Sequence, residues 1–229
     1  MISIRNVTKV YRSGTTEVAA LRGVSLEVNR GEFLAIAGPS GSGKSTLLNL
    51  IGCLDAATAG EVLIEGQTVS GLNRKQLALF RRQHLGFVFQ SFNLIPVLTA
   101  YENVSLALSL LPLDAGEVRT RSLEMLAEVG LQDMTGRRPA ELSGGQQQRV
   151  AIARALVKQP QIVLADEPTA NVDSEIGEGL LELMRRLNRQ LGSTFIFSTH
   201  DAMVMDYADR LVRLQDGRIV ADERRTGAE

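Results

Sequence analysis

The chain has 229 residues, which is enough to bury a sizeable core without disulfides or structural metals. Hydrophobic residues (44%) and charged residues (22%) are balanced as in folded globular proteins, which excludes a disordered chain. Lys and Arg number 25 and Asp and Glu 26, for a net charge of -1, so we expect no nucleic-acid partner and no general attraction to anionic lipid. The single cysteine, Cys53, excludes an internal disulfide and favours a reducing compartment.

The N-terminus carries charges at Arg5 and Lys9 and has no apolar stretch of signal-peptide length. The most apolar segments, residues 33–37 and 47–54, are far shorter than the ~20 residues that a membrane-spanning helix needs. We therefore expect a chain that serves a membrane, if at all, through a partner.

The apolar pattern predicts two kinds of strand. Alternation of apolar and polar residues at Ile2–Val7 and Val24–Val28 is typical of half-buried antiparallel strands. Glu65-Gly66 and Asp216-Gly217 are predicted turns, the second between strands near 210–214 and 218–221. Continuous apolar runs, which favour a largely parallel sheet covered on both faces, occur at residues 33–37, 161–165 and 194–198.

A helix over Ser174–Leu191, with its apolar residues on one face, links the last two runs and makes the core α/β. Residues 91–158 are predicted to be mostly helical and punctuated by prolines. The predicted helices in this block lie near Glu102–Leu111, Glu117–Val129 and Gly145–Val157. We thus expect one domain, with an α/β core from residues 1–90 and 159–229 and a helical subdomain from 91–158.

A glycine-rich segment between a predicted strand and a predicted helix has the phosphate-loop pattern G-x-x-x-x-G-K-[ST]. It reads Gly38-Pro39-Ser40-Gly41-Ser42-Gly43-Lys44-Ser45, followed by Thr46. Its glycines let backbone N–H groups turn towards an anion, and the helix adds its positive N-terminal end. Lys44 can reach β- and γ-phosphate oxygens, and the Ser45 hydroxyl can ligate Mg²⁺.

Two carboxylates, Asp166 and Glu167, follow the apolar run at 161–165. Ligands of open α/β sheets bind at the carboxyl ends of strands. Asp166 is a candidate Mg²⁺ ligand and Glu167 a candidate for orienting or deprotonating an attacking water. Together with the phosphate loop, this pair predicts a nucleoside triphosphatase.

A third motif lies between these two and reads Leu142-Ser143-Gly144-Gly145-Gln146-Gln147-Gln148-Arg149. Ser143 and Gln146 have the spacing of a capping box, so the motif predicts a helix beginning here. The two glycines would also leave N–H groups able to contact an anion. These two interpretations are compatible.

LSGGQQQR in this position resembles the signature of ABC-type ATPases, and the resemblance covers nearly the whole chain. Tyr11 resembles the aromatic residue that stacks on adenine, and Gln90 after GFVF resembles the Q-loop glutamine. Ala170–Asp173 resembles the D-loop, and His200 after TFIFST resembles the switch histidine. The resemblance implies the ABC ATPase fold: a P-loop core with a largely parallel sheet, an N-terminal antiparallel β subdomain and the helical insertion.

Several of these residues also have ordinary structural interpretations, and these stay open at this stage. Tyr11 can be an edge-strand aromatic, Gln90 a strand end and His200 a surface histidine. His84 is expected at a solvated helix end, and Cys53 and Met125 on apolar helix faces in the core.

By this resemblance, ATP lies between the phosphate loop of one copy and Ser143–Gln146 of a second, in a head-to-tail homodimer. Glu167 would act on the water, His200 would sense the γ-phosphate, and Lys44 would contact phosphates. Mg²⁺ would be held by Ser45, Gln90 and Asp166. Tyr11, Thr46 and Asp173 complete the implied nucleotide contacts.

The resemblance also implies a separate permease that docks near Gln90 and the helical subdomain, with the chain peripheral on the cytoplasmic face of the bacterial inner membrane. A finer resemblance is to the ATPases of lipoprotein-releasing and macrolide-efflux systems, and it is carried by the segments GPSGSGKSTLLNLIGCLD, FVFQSFNLIPVLTAYENV and ELSGGQQQRVAIARALV. It implies export or extraction of a lipoprotein, lipid, peptide or macrolide-like cargo. It also implies a periplasmic or extracellular adaptor as a further partner. The D-loop reads ANVD where much of that branch has GNLD. The alternative is the ATPase of a signalling complex that controls a cell-wall hydrolase and transports nothing. A soluble ABC protein of translation or DNA repair is disfavoured, because those resemble tandem cassettes or carry coiled-coil insertions.

Overall fold

The computed structural model describes residues 1–14 and 16–225. The strands are β1 Ile2–Ser13, β2 Thr16–Val28, β3 Phe33–Ala37, β4 Ala59–Ile64, β5 Gln67–Thr68, β6 Leu85–Phe89, β7 Ile162–Asp166, β8 Thr194–Thr199, β9 Arg210–Gln215 and β10 Arg218–Arg224. The helices are α1 Lys44–Ile51, α2 Arg74–His84, α3 Ala100–Ser109, α4 Ala115–Glu128, α5 Gly144–Leu156, α6 Ser174–Leu191 and α7 Ala202–Tyr207. Short 3₁₀ turns occupy Gln132–Met134 and Pro139–Glu141.

Two compact units make up the chain, and the first contains the described residues within Met1–Arg81 and Thr194–Glu229. In this unit an antiparallel sheet has the strand order β2-β1-β4-β5. A second set of strands places β3 between β8 and β9, parallel to both, and β10 pairs antiparallel with β9. The predicted N-terminal antiparallel strands and the predicted Asp216-Gly217 hairpin are therefore confirmed.

The core of this unit explains why β3 and β8 read as continuous apolar runs. All five residues of β3 and all six of β8 are buried. Phe33, Phe195 and Phe197 form an aromatic cluster with ring centroids 4.6–6.0 Å apart. Each such buried side chain contributes about 1.5–3 kcal/mol relative to an exposed one, so these central strands are strongly held.

The second unit contains Arg82–Ser193. Here β6 and β7 pair in parallel, with Phe89 opposite Asp166 at their carboxyl ends. Helix α5 packs on β6, α3 and α6, and its Val150, Ala151 and Ile152 are fully buried. The domain boundaries expected from the sequence, at 90/91 and 158/159, stay a prediction.

Helix α6 shows how local sequence sets an element. The Asp173 side chain accepts a hydrogen bond from the Ile176 N–H (2.9 Å) and caps the helix start. Gly192, at φ 66°, takes the left-handed conformation that ends it. Between them the apolar side chains from Leu180 to Leu187 are buried, and the predicted bounds of the helix, Ser174–Leu191, are confirmed residue for residue.

Smaller expectations have mixed outcomes. Cys53 is buried as expected, but its placement on a helix face is wrong, because α1 ends at Ile51 and Cys53 follows in a turn with φ 54°. Met125 is buried in α4. His84 ends α2, where its ring Nδ1 lies 3.2 Å from Gln161 Oε1. Within residues 1–14 and 16–225, the structure has no helix that is long and apolar enough to cross a membrane.

Candidate functional site

The phosphate loop closes tightly on backbone, which explains its glycines. A Cβ at Gly38 would lie 2.1 Å from the Leu214 carbonyl oxygen, so only glycine fits there. Gly43 has φ +104°, and a Cβ there would lie 2.5 Å from the Ala20 carbonyl oxygen. The Gly217 N–H donates to the Ser42 carbonyl (3.0 Å) and ties the loop to the β9–β10 turn. The loop is thus held in place by its neighbours, and a side chain at Gly38 or Gly43 would clash with their carbonyl groups.

The interior of this loop suits a phosphate. Helix α1 begins after Gly43, so no side chain caps its N-terminal N–H groups. The Lys44 ammonium is buried and donates to the carbonyls of Gly38 (2.8 Å) and Pro39 (3.0 Å), which leaves capacity for a phosphate oxygen. The Ser42 hydroxyl is buried and has no hydrogen-bond partner among the described residues. The uncapped N–H groups of α1, the Lys44 ammonium and the Ser42 hydroxyl without a partner together fit a bound polyphosphate.

His200 lies beside this loop in the same unit. In the parallel ladder Ala37 pairs with Thr199, so Gly38 and His200 both follow strand ends on one edge. The Thr199 hydroxyl accepts a hydrogen bond from the Asp201 N–H (3.0 Å), and Asp201 caps α7. His200 is exposed. His200 therefore follows the strand next to the phosphate loop, at the edge where ligands of open α/β sheets bind.

Tyr11 lies on β1, and the residue is 40% exposed. Its hydroxyl donates to Asp55 Oδ2 (2.8 Å). The side chain is thus held at its hydroxyl end and partly exposed, in the unit that also carries the phosphate loop.

In the second unit, the carboxylates and Gln90 share a strand edge. Because Phe89 pairs with Asp166, Gln90 and Glu167 both come directly after paired strand ends. Glu167 has φ +47°, an uncommon conformation for a non-glycine residue that costs on the order of 1–3 kcal/mol and is frequent at functional sites. The Asn171 side chain donates to the Gln90 carbonyl (2.8 Å) and joins the predicted D-loop to the predicted Q-loop.

The signature segment begins helix α5 as predicted. Ser143 and Gln146 form both hydrogen bonds of the capping box, at 2.9 and 3.3 Å. A Cβ at Gly145 would lie 2.6 Å from Ile176 Cγ2, whereas one at Gly144 would meet nothing closer than 3.5 Å. Gly145 is therefore required by the packing of α5 against the start of α6, a reason that the sequence did not show. The predicted anion contact of the two glycines stays a prediction.

Two residues that the sequence analysis passed over stabilise these loops. The buried Gln148 side chain donates to the Pro168 carbonyl (2.6 Å), one residue beyond Glu167. Arg154 donates to the carbonyls of Phe92 (2.8 Å) and Asn93 (2.5 Å), in the loop that follows Gln90. The sequence signal that could have identified them is a glutamine and an arginine within a mostly apolar helix face, because a buried polar group needs a hydrogen-bond partner.

The donor set suits Mg²⁺ better than a metal caged by protein. No group of three or more His, Cys, Asp or Glu side chains in the described part of the chain is arranged to hold a metal ion. Mg²⁺ keeps several waters and takes one or two carboxylates together with substrate phosphates. In the second unit, Gln90 and Asp166 lie at one strand edge and offer an amide oxygen and one carboxylate, which fits that chemistry.

A phosphate loop with an uncapped helix start, together with carboxylates at a strand end, defines a nucleoside triphosphatase. The family model described as ABC transporter matches residues 21–170. An uncharacterized ABC transporter ATP-binding protein of Thermotoga maritima is 51% identical over 225 residues, covering 98% of this chain and 96% of that protein. The dimeric structure of MJ0796, a bacterial ABC transporter cassette, superposes with a TM-score of 0.91 at 47% identity and covers 99% of this chain and 100% of that one.

A macrolide export ATP-binding/permease protein, MacB of Brucella melitensis, is 47% identical over 222 residues, or 97% of this chain and 34% of that protein. The chain therefore belongs to the ABC transporter family, as an ATP-binding subunit with ATPase activity. The α/β ABC ATPase fold expected from the motifs is confirmed. The roles of the individual site residues stay predictions.

Proposed function

We propose that this subunit drives a separate membrane permease, from the cytoplasmic face of the bacterial inner membrane, in the export or extraction of a lipoprotein, lipid, peptide or macrolide-like cargo. The support is the similarity to MacB of Brucella melitensis, whose name combines an ATP-binding part and a permease. The 222 matched residues make up 34% of that protein.

In the proposed reaction a water oxygen attacks the γ-phosphorus, and the bond to the β–γ bridging oxygen breaks, so that ATP and water give ADP and phosphate. Glu167 accepts the proton of the water, and Lys44 and His200 contact the γ-phosphate. Bound Mg²⁺, which Ser45, Gln90 and Asp166 would hold, supplies charge neutralisation on the phosphates.

The position of Glu167 is the observation that carries this assignment. It follows Asp166 at the carboxyl end of β7 in the left-handed backbone conformation. The next carbonyl, that of Pro168, is held by Gln148. A carboxylate kept in a strained and supported backbone is suited to orient a water rather than to act as a mobile surface charge.

The site is proposed to be completed by a second copy. The chain carries one phosphate loop and one signature. A head-to-tail dimer would place the partner copy's signature residues on the nucleotide, together with Asp173. Two solved structures of the cassette MJ0796 are dimeric, and one of them is a post-hydrolysis state bound to ADP and Pi.

The proposed docking groove for the permease lies in the second unit. A cavity of about 270 Å³ is lined by Leu85, Gly86, Phe87, Phe89, Asn93, Ala107, Arg154, Ala155 and Lys158. Phe87 and Phe89 stack with their rings 5.8 Å apart, and burial lowers the pKa of Lys158 to about 8. Aromatic walls with basic groups suit an amphipathic helix that carries a carboxylate.

The test compares Glu167→Gln with Glu182→Gln, which removes the same charge from an exposed position on α6. We expect Glu167→Gln to bind ATP, to lose at least 100-fold in turnover and to persist as a dimer by light scattering in Mg-ATP. The Glu182 variant should behave as wild type. Hydrolysis at the wild-type rate by Glu167→Gln would refute the assigned base.

The same measurement with a candidate permease in nanodiscs tests the transport part of the proposal. ATPase activity should rise when the permease is present, and Phe87→Asp should abolish that rise. A permease that binds and stimulates without moving any cargo would instead favour the signalling alternative.

A further inference from the structure

A compact ionic cluster surrounds the hydroxyl end of Tyr11. The Lys9 ammonium lies 2.6 Å from Asp55 Oδ1, and the Tyr11 hydroxyl donates to Asp55 Oδ2 (2.8 Å). The Ala56 N–H donates to Asp55 Oδ1 (2.7 Å), and the Lys9 ammonium also reaches the Ala56 carbonyl (2.8 Å). Both carboxylate oxygens of Asp55 are thus used, and the turn after α1 is joined to β1.

Burial and the hydrogen bond to Asp55 raise the pKa of Tyr11, with a side-chain hydrogen bond from Thr46 acting against them. Burial alone would raise the pKa of Asp55, but the hydrogen bonds from Lys9, Tyr11 and the Ala56 N–H, with the charge of Lys9, lower it below its ordinary value. The Asp55 carboxylate therefore stays ionised and the Tyr11 phenol stays protonated at neutral pH, which keeps the hydrogen bond between them intact.

Lys9 also covers one face of the Tyr11 ring, because its ammonium lies 4.8 Å from the ring centroid. Only 12% of the Lys9 side chain is exposed, so its position is well defined. A planar ligand can then stack on the opposite face alone. A cation on one face draws π density towards itself and reduces the repulsion between the other face and a stacked base.

We propose, resting on the proposed ATPase function and on the base-stacking role that the sequence resemblance implies for Tyr11, that Asp55 and Lys9 are positioning residues. They fix the Tyr11 ring so that a purine base of the bound nucleotide stacks on the face opposite Lys9. Asp55 sets the orientation of the ring by accepting the hydrogen bond of the Tyr11 hydroxyl. Lys9 blocks the second face and polarises the first.

Steady-state ATPase kinetics of Asp55→Ala, Lys9→Met and Tyr11→Phe test this inference. Each variant should raise KM for ATP about 3- to 10-fold and leave kcat within about twofold, since base stacking contributes up to about 100-fold in affinity and only its alignment is lost. Arg12→Met is the matched control for Lys9, because Arg12 is a neighbouring, largely exposed cation paired with Glu17. It should leave KM unchanged.

Inhibition by inorganic tripolyphosphate separates positioning from general damage to the fold. This probe has no base, so its inhibition constant should stay the same in all variants. A parallel loss of tripolyphosphate binding, or an unchanged KM in the Asp55, Lys9 and Tyr11→Phe variants, would overturn the inference. Tyr11→Ala separates the stacking role of Tyr11 from its positioning by Asp55 and Lys9. If Tyr11→Ala also leaves KM unchanged, the stacking role that the resemblance implies for Tyr11 fails. If KM rises in Tyr11→Ala alone, only the positioning by Asp55 and Lys9 is refuted.

Discussion

The contact between Gly145 and Ile176 gives a sharp prediction about the start of the signature helix. In Gly145→Ala the new Cβ would lie 2.6 Å from Ile176 Cγ2 and 3.6 Å from its Cδ1. Carbon atoms in contact normally stay about 3.5–4.0 Å apart, so the two helices must separate by about 1 Å or Ile176 must change rotamer. Because a β-branched side chain in a helix has one strongly preferred χ1, the second route is restricted.

The expected magnitude combines two opposing terms. Overpacking costs about 1–3 kcal/mol, and Ile176, which is 37% exposed, can move partly into solvent. Replacing glycine by alanine in a helix returns about 0.5–1 kcal/mol. We expect a net loss of about 0.5–2 kcal/mol in the free energy of unfolding. Gly144→Ala has only an ordinary contact, 3.5 Å to the Asn171 carbonyl oxygen, so it should be neutral or slightly stabilising.

Urea unfolding followed by circular dichroism measures these differences, since the chain contains no Trp. In the double variant Gly145→Ala/Ile176→Ala the clashing Cγ2 is gone. The double variant should therefore be more stable, by about 1 kcal/mol or more, than the sum of the two single effects predicts. Ile176→Val keeps Cγ2 and should not rescue. The packing argument would be refuted if Gly145→Ala were as stable as Gly144→Ala, or if valine rescued as well as alanine.

Two further predictions concern titrating groups. The hydrogen bonds from Arg210 lower the pKa of Asp222 against the opposing effect of burial, with the charges of Arg210 and Arg224 adding to them. Because this folded-state pKa is lowered, the stabilisation is present above the unfolded value of about 3.9 and is lost as pH falls through the folded value. Asp222→Asn should therefore lower the free energy of unfolding by about 1 kcal/mol at pH 7 and by almost nothing near pH 2; a pH-independent difference between the two proteins would contradict this. Burial raises the pKa of Cys53 to about 11, with the charge of Arg81 acting the other way. At pH 8 about 0.1% of it is thiolate, against about a quarter for an ordinary cysteine, so the native protein should react with iodoacetamide at least about 100-fold more slowly than the urea-unfolded chain. Equal rates in the two states would contradict that expectation.

Features that depend on near neighbours in the chain could be predicted well. The helix over Ser174–Leu191 has its cap, its apolar stripe and its terminal glycine within one segment, and the structure reproduces its bounds. The capping box of Ser143 and Gln146 spans three residues and is also found. The phosphate loop follows a strand and begins a helix, as its pattern requires. For the helix and the capping box, the hydrogen bonds that set the ends lie within a few residues, whereas the phosphate loop glycines also meet the distant Ala20 and Leu214 carbonyls.

Features that depend on distant segments could not be predicted. Asp55 and Tyr11 are 44 residues apart, and Arg154 and Phe92 are 62 apart. The turn at Cys53 was misjudged because the apolar run of α1 continues past the point where the helix ends. No periodic pattern marks such contacts, since each depends on which surfaces the tertiary fold brings together.

The sequence by itself determined the class of chemistry, because the phosphate loop with Lys44 and the pair Asp166-Glu167 are motifs whose members are adjacent in the chain. Only the tertiary structure decided why Gly145 must be glycine and how Tyr11 is held. Gly145 is constrained by the packing of α5 on α6, and Tyr11 by a carboxylate from the turn after α1. Both constraints come from segments that are far apart in the chain: at Gly145 less than 1 Å separates an ordinary contact from a clash, and at Tyr11 a hydrogen bond spans 44 residues.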